Sequence, residues 1–185
     1  MEAVSMLEML DIYDELGQKT EEAATRDEVH RKGLVHKAVC VWIINSHNEI
    51  LFQKRSSQVM FSDLLDISFS GHVKSGETSF EAVLREGKEE LGIEINQDNL
   101  YYLFSCREYG KLDEYIENEI EDVYLYRADI PTEQYQFCDH EVQSVMYIPL
   151  DEFKSMLQNK NEVFVPYELH YCFLVDALES NLCIR

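Results

Sequence analysis

The chain has 185 residues, 45% of them hydrophobic, and a formal net charge of −20. That is enough apolar material for one sizeable domain, and it excludes a generally disordered chain. The charge excludes a nucleic-acid polymer as partner, which needs a basic face, but admits a small anion if metal cations or a local basic patch bridge it to protein carboxylates.

In chain order, "MLDIYDELGQKTEEA" reads as a short hairpin turning near Gly17. "TRDEVHRKGL" reads as a short helix with Thr25 as N-cap and Asp27 and Glu28 in its first turn. In "VHKAVCVWIINSHNEILFQKRS", two β-branched runs, 39–44 and 50–53, flank the turn "NSHN" and predict a hairpin. "MFSDLLDISFSGHVKSGE" reads as a loop and a short strand. "TSFEAVLREGKEELGI" predicts a helix opened by a Thr78–Glu81 capping box and stopped at Gly92. "LYYLFSCREYG" and "YIENEIEDVYLYRADI" read as longer strands, and "HEVQSVMYIPLDEF" as a strand entering a helix. "LDEFKSMLQN" and "PYELHYCFLVDALES" read as helices, with Pro166 in the first turn of the second.

There is no repeat, low-complexity tract or linker. The expectation is a single α+β (mixed α/β) domain over 1–185, with 1–33 as an N-terminal hairpin and short helix extension. Apolar runs such as 38–44 are too short to span a bilayer, and the N-terminus has no basic n-region. A cytoplasmic protein with no membrane partner is expected. Cys40, Cys106, Cys138, Cys172 and Cys183 form no CxxC and fit reduced thiols. A homodimer through a paired or swapped N-terminal hairpin is compatible with this layout.

"REGKEELG" crowds Glu86, Glu89 and Glu90 together in an already acidic chain. Like charges a turn apart destabilise a helix. At about 100° per residue, Phe80, Leu84, Gly87 and Leu91 form an apolar stripe with Val83 beside it. The three glutamates fall on one arc next to that stripe, with Arg85 on its far side. A divalent cation such as Mg²⁺ or Mn²⁺ can sit among such carboxylates and relieve their repulsion. The alternative is a solvated acidic face. Gly87 faces the packing side, where a close approach to a neighbouring strand explains a mid-helix glycine.

Upstream, Gly71 is followed after five residues by Glu77, then after seven by Arg85-Glu86, and the stretch closes with Glu89-Glu90, Gly92 and Ile93. This spacing resembles the Nudix box, with one departure: Gly87 stands where the box has a bulky apolar residue. The resemblance implies a Nudix-type α/β/α sandwich with a mixed central sheet. It implies Glu86, Glu89 and Glu90 as metal ligands or base, the Gly71 carbonyl as a further ligand, and Glu77 and Arg85 as the pair joining loop to helix. The implied reaction is metal-dependent hydrolysis of a nucleoside diphosphate derivative or related diphosphate by water attack at phosphorus.

"LDIYDELGQKT", "EVHRKGLVHKAVCVWIIN", "SGHVKSGE" and "IENEIEDVYLY" resemble the branch that includes isopentenyl-diphosphate isomerase. That enzyme holds a metal with histidines and a strand E-x-E pair; His30, His36 and His72, with Glu117 and Glu119, lie in comparable regions. Each also has an ordinary reading as a packing or solvated residue. Ser70 stands where the isomerase carries its catalytic cysteine, which argues for a hydrolase over a double-bond shift; a non-catalytic nucleotide-sensing module is the third alternative. Glu141 is a candidate downstream carboxylate. Lys54 and Arg55 are candidates for the local positive charge. Specificity is expected in the loops "SSQVMFSDLLDISF" and "CREYGKLDEYI", with Phe61, Tyr109 and Tyr115 available to stack on a base.

Overall fold

The computed structural model describes residues 8–137, 140–160 and 162–181. Cys138 and Cys183 lie outside them. The N-terminal segment forms β1 (Met9–Tyr13), β2 (Lys19–Thr25) and α1 (Arg26–Lys32), and Thr25 caps α1 by accepting the Glu28 amide. β1 and β2 pair with each other as a two-stranded sheet. The hairpin is tied to the rest of the chain by Asp11, which accepts from Ser75 Oγ at 2.8 Å and from the Gly76 amide at 3.1 Å.

The remaining strands are β3 (His36–Ile44), β4 (Glu49–Arg55), β5 (Leu65–Asp66), β6 (Phe69–His72), β7 (Leu100–Leu112), β8 (Tyr115–Arg127) and β9 (Val142–Pro149). They build a seven-stranded sheet in the order β5-β4-β3-β8-β7, with β6 added to β3 and β9 to β4. β3 and β8 run parallel and the other pairs antiparallel, so the sheet is mixed. Helix α2 (Ser79–Leu91) packs on one face through Val83 and Leu91 against Val39, Val41 and Phe69. Helices α3 (Leu150–Gln158) and α4 (Glu168–Asn181) cover the other face, where Trp42, Phe52, Phe153 and Tyr171 meet. The result is the expected α/β/α sandwich.

The expected β3–β4 hairpin is only partly formed. The two strands share one register pair, Ile44 with Ile50, and then splay. Beyond it, β3 pairs with β6 while β4 pairs with β5 and β9. The splay opens the sheet into a cleft. The segment "CREYGKLDEYI" is also not a loop: β7 and β8 extend through it as a long hairpin with its tip at Asp113 and Glu114. Pro166 precedes α4 rather than sitting in its first turn.

The buried face of α2 is rotated from the expected stripe. Ala82, Val83, Glu86, Gly87, Glu90 and Leu91 are buried, while Phe80 and Leu84 are each 36% exposed. Two glutamates therefore occupy the inward face where Phe80 and Leu84 were expected. The close approach at Gly87 is present: a Cβ there would lie 3.2 Å from Ile95 and 3.3 Å from Phe69. Those two side chains fill the space that a bulky residue at 87 would take.

Candidate active site

The capping box of α2 is complete. Thr78 Oγ1 accepts from the Glu81 amide at 3.2 Å, and Glu81 accepts from the Thr78 amide at 2.8 Å. With the first turn fixed, Arg85 reaches back to the preceding loop. Its Nε and Nη2 donate to the two oxygens of Glu77, each at 2.9 Å, and Nη2 also donates to the His72 carbonyl at 2.8 Å. This bidentate fork holds loop and helix in one register. The same guanidinium meets Glu86, and Glu89 at 3.1 Å. Arg85 is thus not remote from the glutamate arc, because Glu86 adjoins it and Glu89 lies one turn ahead of it.

Glu86 and Glu90 are 8% and 7% exposed, whereas Glu89 is open to solvent. Gly71 makes room for Glu86, since a Cβ at Gly71 would lie 2.2 Å from its carboxyl group. Glu90 accepts from the Ser70 amide at 3.3 Å. Burial pushes the Glu86 carboxyl up to about 7, against the opposing pull of Arg85. In the metal-free protein this has a definite pH signature. Well below pH 4.5, Glu86 is protonated in both folded and unfolded chains and costs nothing. From about 4.5 to about 7 the unfolded chain ionises first and the cost grows; above that range it is complete. Metal-free Glu86→Gln should melt close to the wild type near pH 4.5 and several degrees higher at pH 8, corresponding to roughly 2 kcal/mol. Identical melting at both pH values would contradict the burial of a charged Glu86.

A second cluster with the donor atoms to hold a metal adjoins this space through His72 and Glu119. His30 from α1, His36 from β3, His72 from β6 and Glu119 from β8 bring one ligand atom each to within 4.8 Å of one another. His30 Nδ1 donates to the Arg26 carbonyl at 2.8 Å and His36 Nδ1 to the Leu34 carbonyl at 3.0 Å. A carbonyl only accepts, so Nδ1 carries a proton in both rings, and His30 Nε2 presents its lone pair inward while His36 Nε2 faces Glu119. This is the orientation that backbone carbonyls impose on metal-ligating histidines. His30 Nε2 is buried without a hydrogen-bond partner. Burial, the largest influence on His30, lowers it to about 4, so the ring is neutral at physiological pH. Tyr115 stacks on its outer face with centroids 4.3 Å apart. His36 Nε2 and His72 Nε2 lie 3.0 Å and 3.3 Å from Glu119 Oε1. Burial opposes ionisation of Glu119, but the bonds from His36 and His72 outweigh it and hold the carboxyl well below the usual range. Reading these histidines as plain packing leaves the orphaned His30 nitrogen unexplained. Three imidazoles and a carboxylate fit a transition metal or Mn²⁺; the α2 carboxylates fit Mg²⁺ or Mn²⁺.

Glu86, Glu89 and Glu90 line one cleft of about 1050 Å³ together with His72 and Glu119, while His30 and His36 are buried behind its wall. Glu117 and Glu119 share its face, as their i, i+2 spacing on a strand requires, and burial followed by the charge of Glu119 pushes Glu117 up to about 7. Glu141 also lines it, as do Phe61 and Tyr115. Tyr109 is 65% exposed on β7 and lies outside the cleft lining. Arg55 lines the cleft and is bound to Asp66 and to the Met60 carbonyl. Lys54 does not; it pairs with Asp63 at 2.9 Å. Arg26 and Lys74 supply further positive charge that sequence reading did not single out, since no motif marks either.

Another cluster, Cys106, Glu108, Glu121 and His170, has a different character. His170 Nδ1 bonds Glu121 at 2.9 Å and Nε2 accepts from Trp42 Nε1 at 2.9 Å. Both ring nitrogens are engaged, so the group fastens α4 to the sheet.

This architecture is that of a Nudix domain, and the family comparison agrees: the NUDIX domain model matches residues 34–167. The chain belongs to the Nudix family. It is 34% identical over 182 residues to Nudix hydrolase 3 of Arabidopsis thaliana, covering 94% of this chain but 24% of that protein. It therefore spans about a quarter of that relative's length. It is also 30% identical over 135 residues to isopentenyl-diphosphate Delta-isomerase 1 of Photorhabdus laumondii, covering 72% of this chain and 74% of that protein. Among solved structures, DR0079 from Deinococcus radiodurans superposes with a TM-score of 0.69 at 23% identity, over 94% of this chain and 98% of that one, which shows the fold.

Proposed function

We propose that the protein is a divalent-metal-dependent hydrolase that cleaves a diphosphate linkage in a nucleoside diphosphate derivative or related organic diphosphate, by water attack at phosphorus. The observation that carries this reading is one cleft lined by Glu86, Glu89 and Glu90 and by His72 and Glu119, the two members of the His30–His36–His72–Glu119 set that reach it. Glu86, Glu89 and Glu90 would hold Mg²⁺ or Mn²⁺, with the Gly71 carbonyl beside them, and the histidine set would hold a second cation. Bound metal would neutralise the diphosphate and lower the pKa of an attacking water. The chain's own residues do the rest. Arg85 keeps the glutamates and the Gly71 loop in register through Glu77. Arg26, Arg55 and Lys74 offset the acidity of the cleft for an anionic substrate. Among the described residues no helix is long and apolar enough to cross a membrane, and cytoplasmic action on a small molecule is the reading consistent with that.

The test is phosphate or monophosphate release over nucleotide sugars, dinucleotides, nucleoside triphosphates and prenyl diphosphates, with and without metal. Turnover of one class that vanishes with chelator supports the proposal; no turnover of any class removes it. One observation favours a second reading, the double-bond shift. Cys40 is the register partner of Ser70 across β3–β6, and both line the cleft. Burial raises the Cys40 thiol well above its ordinary value, so it can supply a proton more readily than remove one. Dimethylallyl diphosphate formed from isopentenyl diphosphate, and lost in Cys40→Ser, would establish this reading.

A further inference from the structure

Gln53 sits on β4 beside the splay, paired in register with Asp66 on β5 and Val145 on β9. It is 4% exposed, and its Oε1 has no hydrogen-bond partner. It nevertheless lines the cleft, together with Cys40, Ile67 and Tyr167. A buried acceptor left unsatisfied is disfavoured, and folded proteins keep few of them. Nearby carboxylates that could compete for a donor are already engaged: Asp66 by Arg55 and the Ile67 amide, Glu121 by His170 and Cys106. The wall beside Gln53 therefore carries one unsatisfied acceptor.

From this we infer that Gln53 is a specificity-determining residue, whose Oε1 accepts a hydrogen bond from a hydroxyl or amino group on the part of the substrate attached to the diphosphate. The inference rests on the hydrolase reading above and narrows its substrate class. A nucleoside or sugar brings such donors into the cleft. A prenyl chain brings none and would leave Gln53 Oε1 without a partner. Sites built to hydrogen-bond a substrate group discriminate strongly against analogues that lack it.

The experiment compares the full-length wild type with Gln53→Met, which has similar length and no acceptor oxygen. Both are assayed with metal on nucleotide sugars, dinucleotides and prenyl diphosphates. The wild type should favour a donor-bearing substrate. In Gln53→Met its advantage over prenyl diphosphates, as a ratio of kcat/KM, should fall about 10- to 100-fold. The metal-free variant should melt no lower than the wild type, because an orphaned acceptor has been removed. Deoxy and deamino analogues of the best substrate, tested on the wild type, give the same information should the variant fail to fold. One of them should lose a similar factor, and in a folded Gln53→Met that analogue should lose nothing more. An unchanged ratio together with no analogue effect overturns the inference. A wild-type preference for prenyl diphosphates also overturns it, while the hydrolase reading stands. Absence of all turnover by the wild type removes the hydrolase reading, and this inference with it.

Discussion

Glu90→Gln and Glu89→Gln should each lower kcat by about 10²- to 10⁴-fold while leaving the melting temperature within a few degrees of wild type. The two positions test the same chemistry in different surroundings. Glu90 is 7% exposed and accepts from the Ser70 amide, an interaction that the glutamine Oε1 can keep. Its substitution removes negative charge and little packing. Glu89 is solvent-open and shares Arg85 with Glu86 and Glu77. Its ion pair at an exposed position contributes little to stability. If the helix face were merely a solvated acidic surface, both variants would keep full activity. Steady-state kinetics with purified variants, paired with thermal melts, separates the two outcomes.

Replacing His30 by phenylalanine should abolish tight binding of a transition metal, lowering affinity by at least about 10²-fold, without unfolding the protein. Phenylalanine can keep the stack on Tyr115 and fill most of the same space. What it lacks is the Nε2 lone pair, which is buried without a partner and faces His36, His72 and Glu119. The metal-free variant loses the His30 Nδ1 bond to Arg26 but also loses the orphaned nitrogen. Its melting temperature should therefore stay close to that of metal-free wild type. Metal content after dialysis, measured by elemental mass spectrometry, is the deciding quantity. Equal metal content in the two proteins would mean that the histidines serve packing alone.

What the sequence revealed about this site depended on how local each feature is. The glycine, glutamates and arginine of the box lie within one loop and one helix, so their spacing carries their geometry. The α2 cap and the glycine stop are likewise local and occur as expected. The orientation of α2 differs from the apolar stripe, because Glu86 and Glu90 turn inward toward Gly71 and Ser70, which no count of apolar residues anticipates. The histidine set draws on α1, β3, β6 and β8, elements far apart in the chain. Sequence spacing marks its members but does not distinguish ligands from packing residues, because their proximity arises only in the fold. The β3–β4 splay was hidden because a β-branched run looks the same whichever strand it pairs with. Arg26 and Gln53 carried no signal. Their significance comes only from what the splay places around them.

The most direct test of the central claim is hydrolysis in H₂¹⁸O. A substrate from the nucleotide panel is incubated with the wild type and Mg²⁺ or Mn²⁺, and the products are examined by mass spectrometry. The expected result is an ¹⁸O atom on a product phosphate, formed only when metal is present and lost in Glu90→Gln. Product whose phosphates carry no label, or label incorporated equally in the presence of chelator, would contradict metal-dependent water attack at phosphorus.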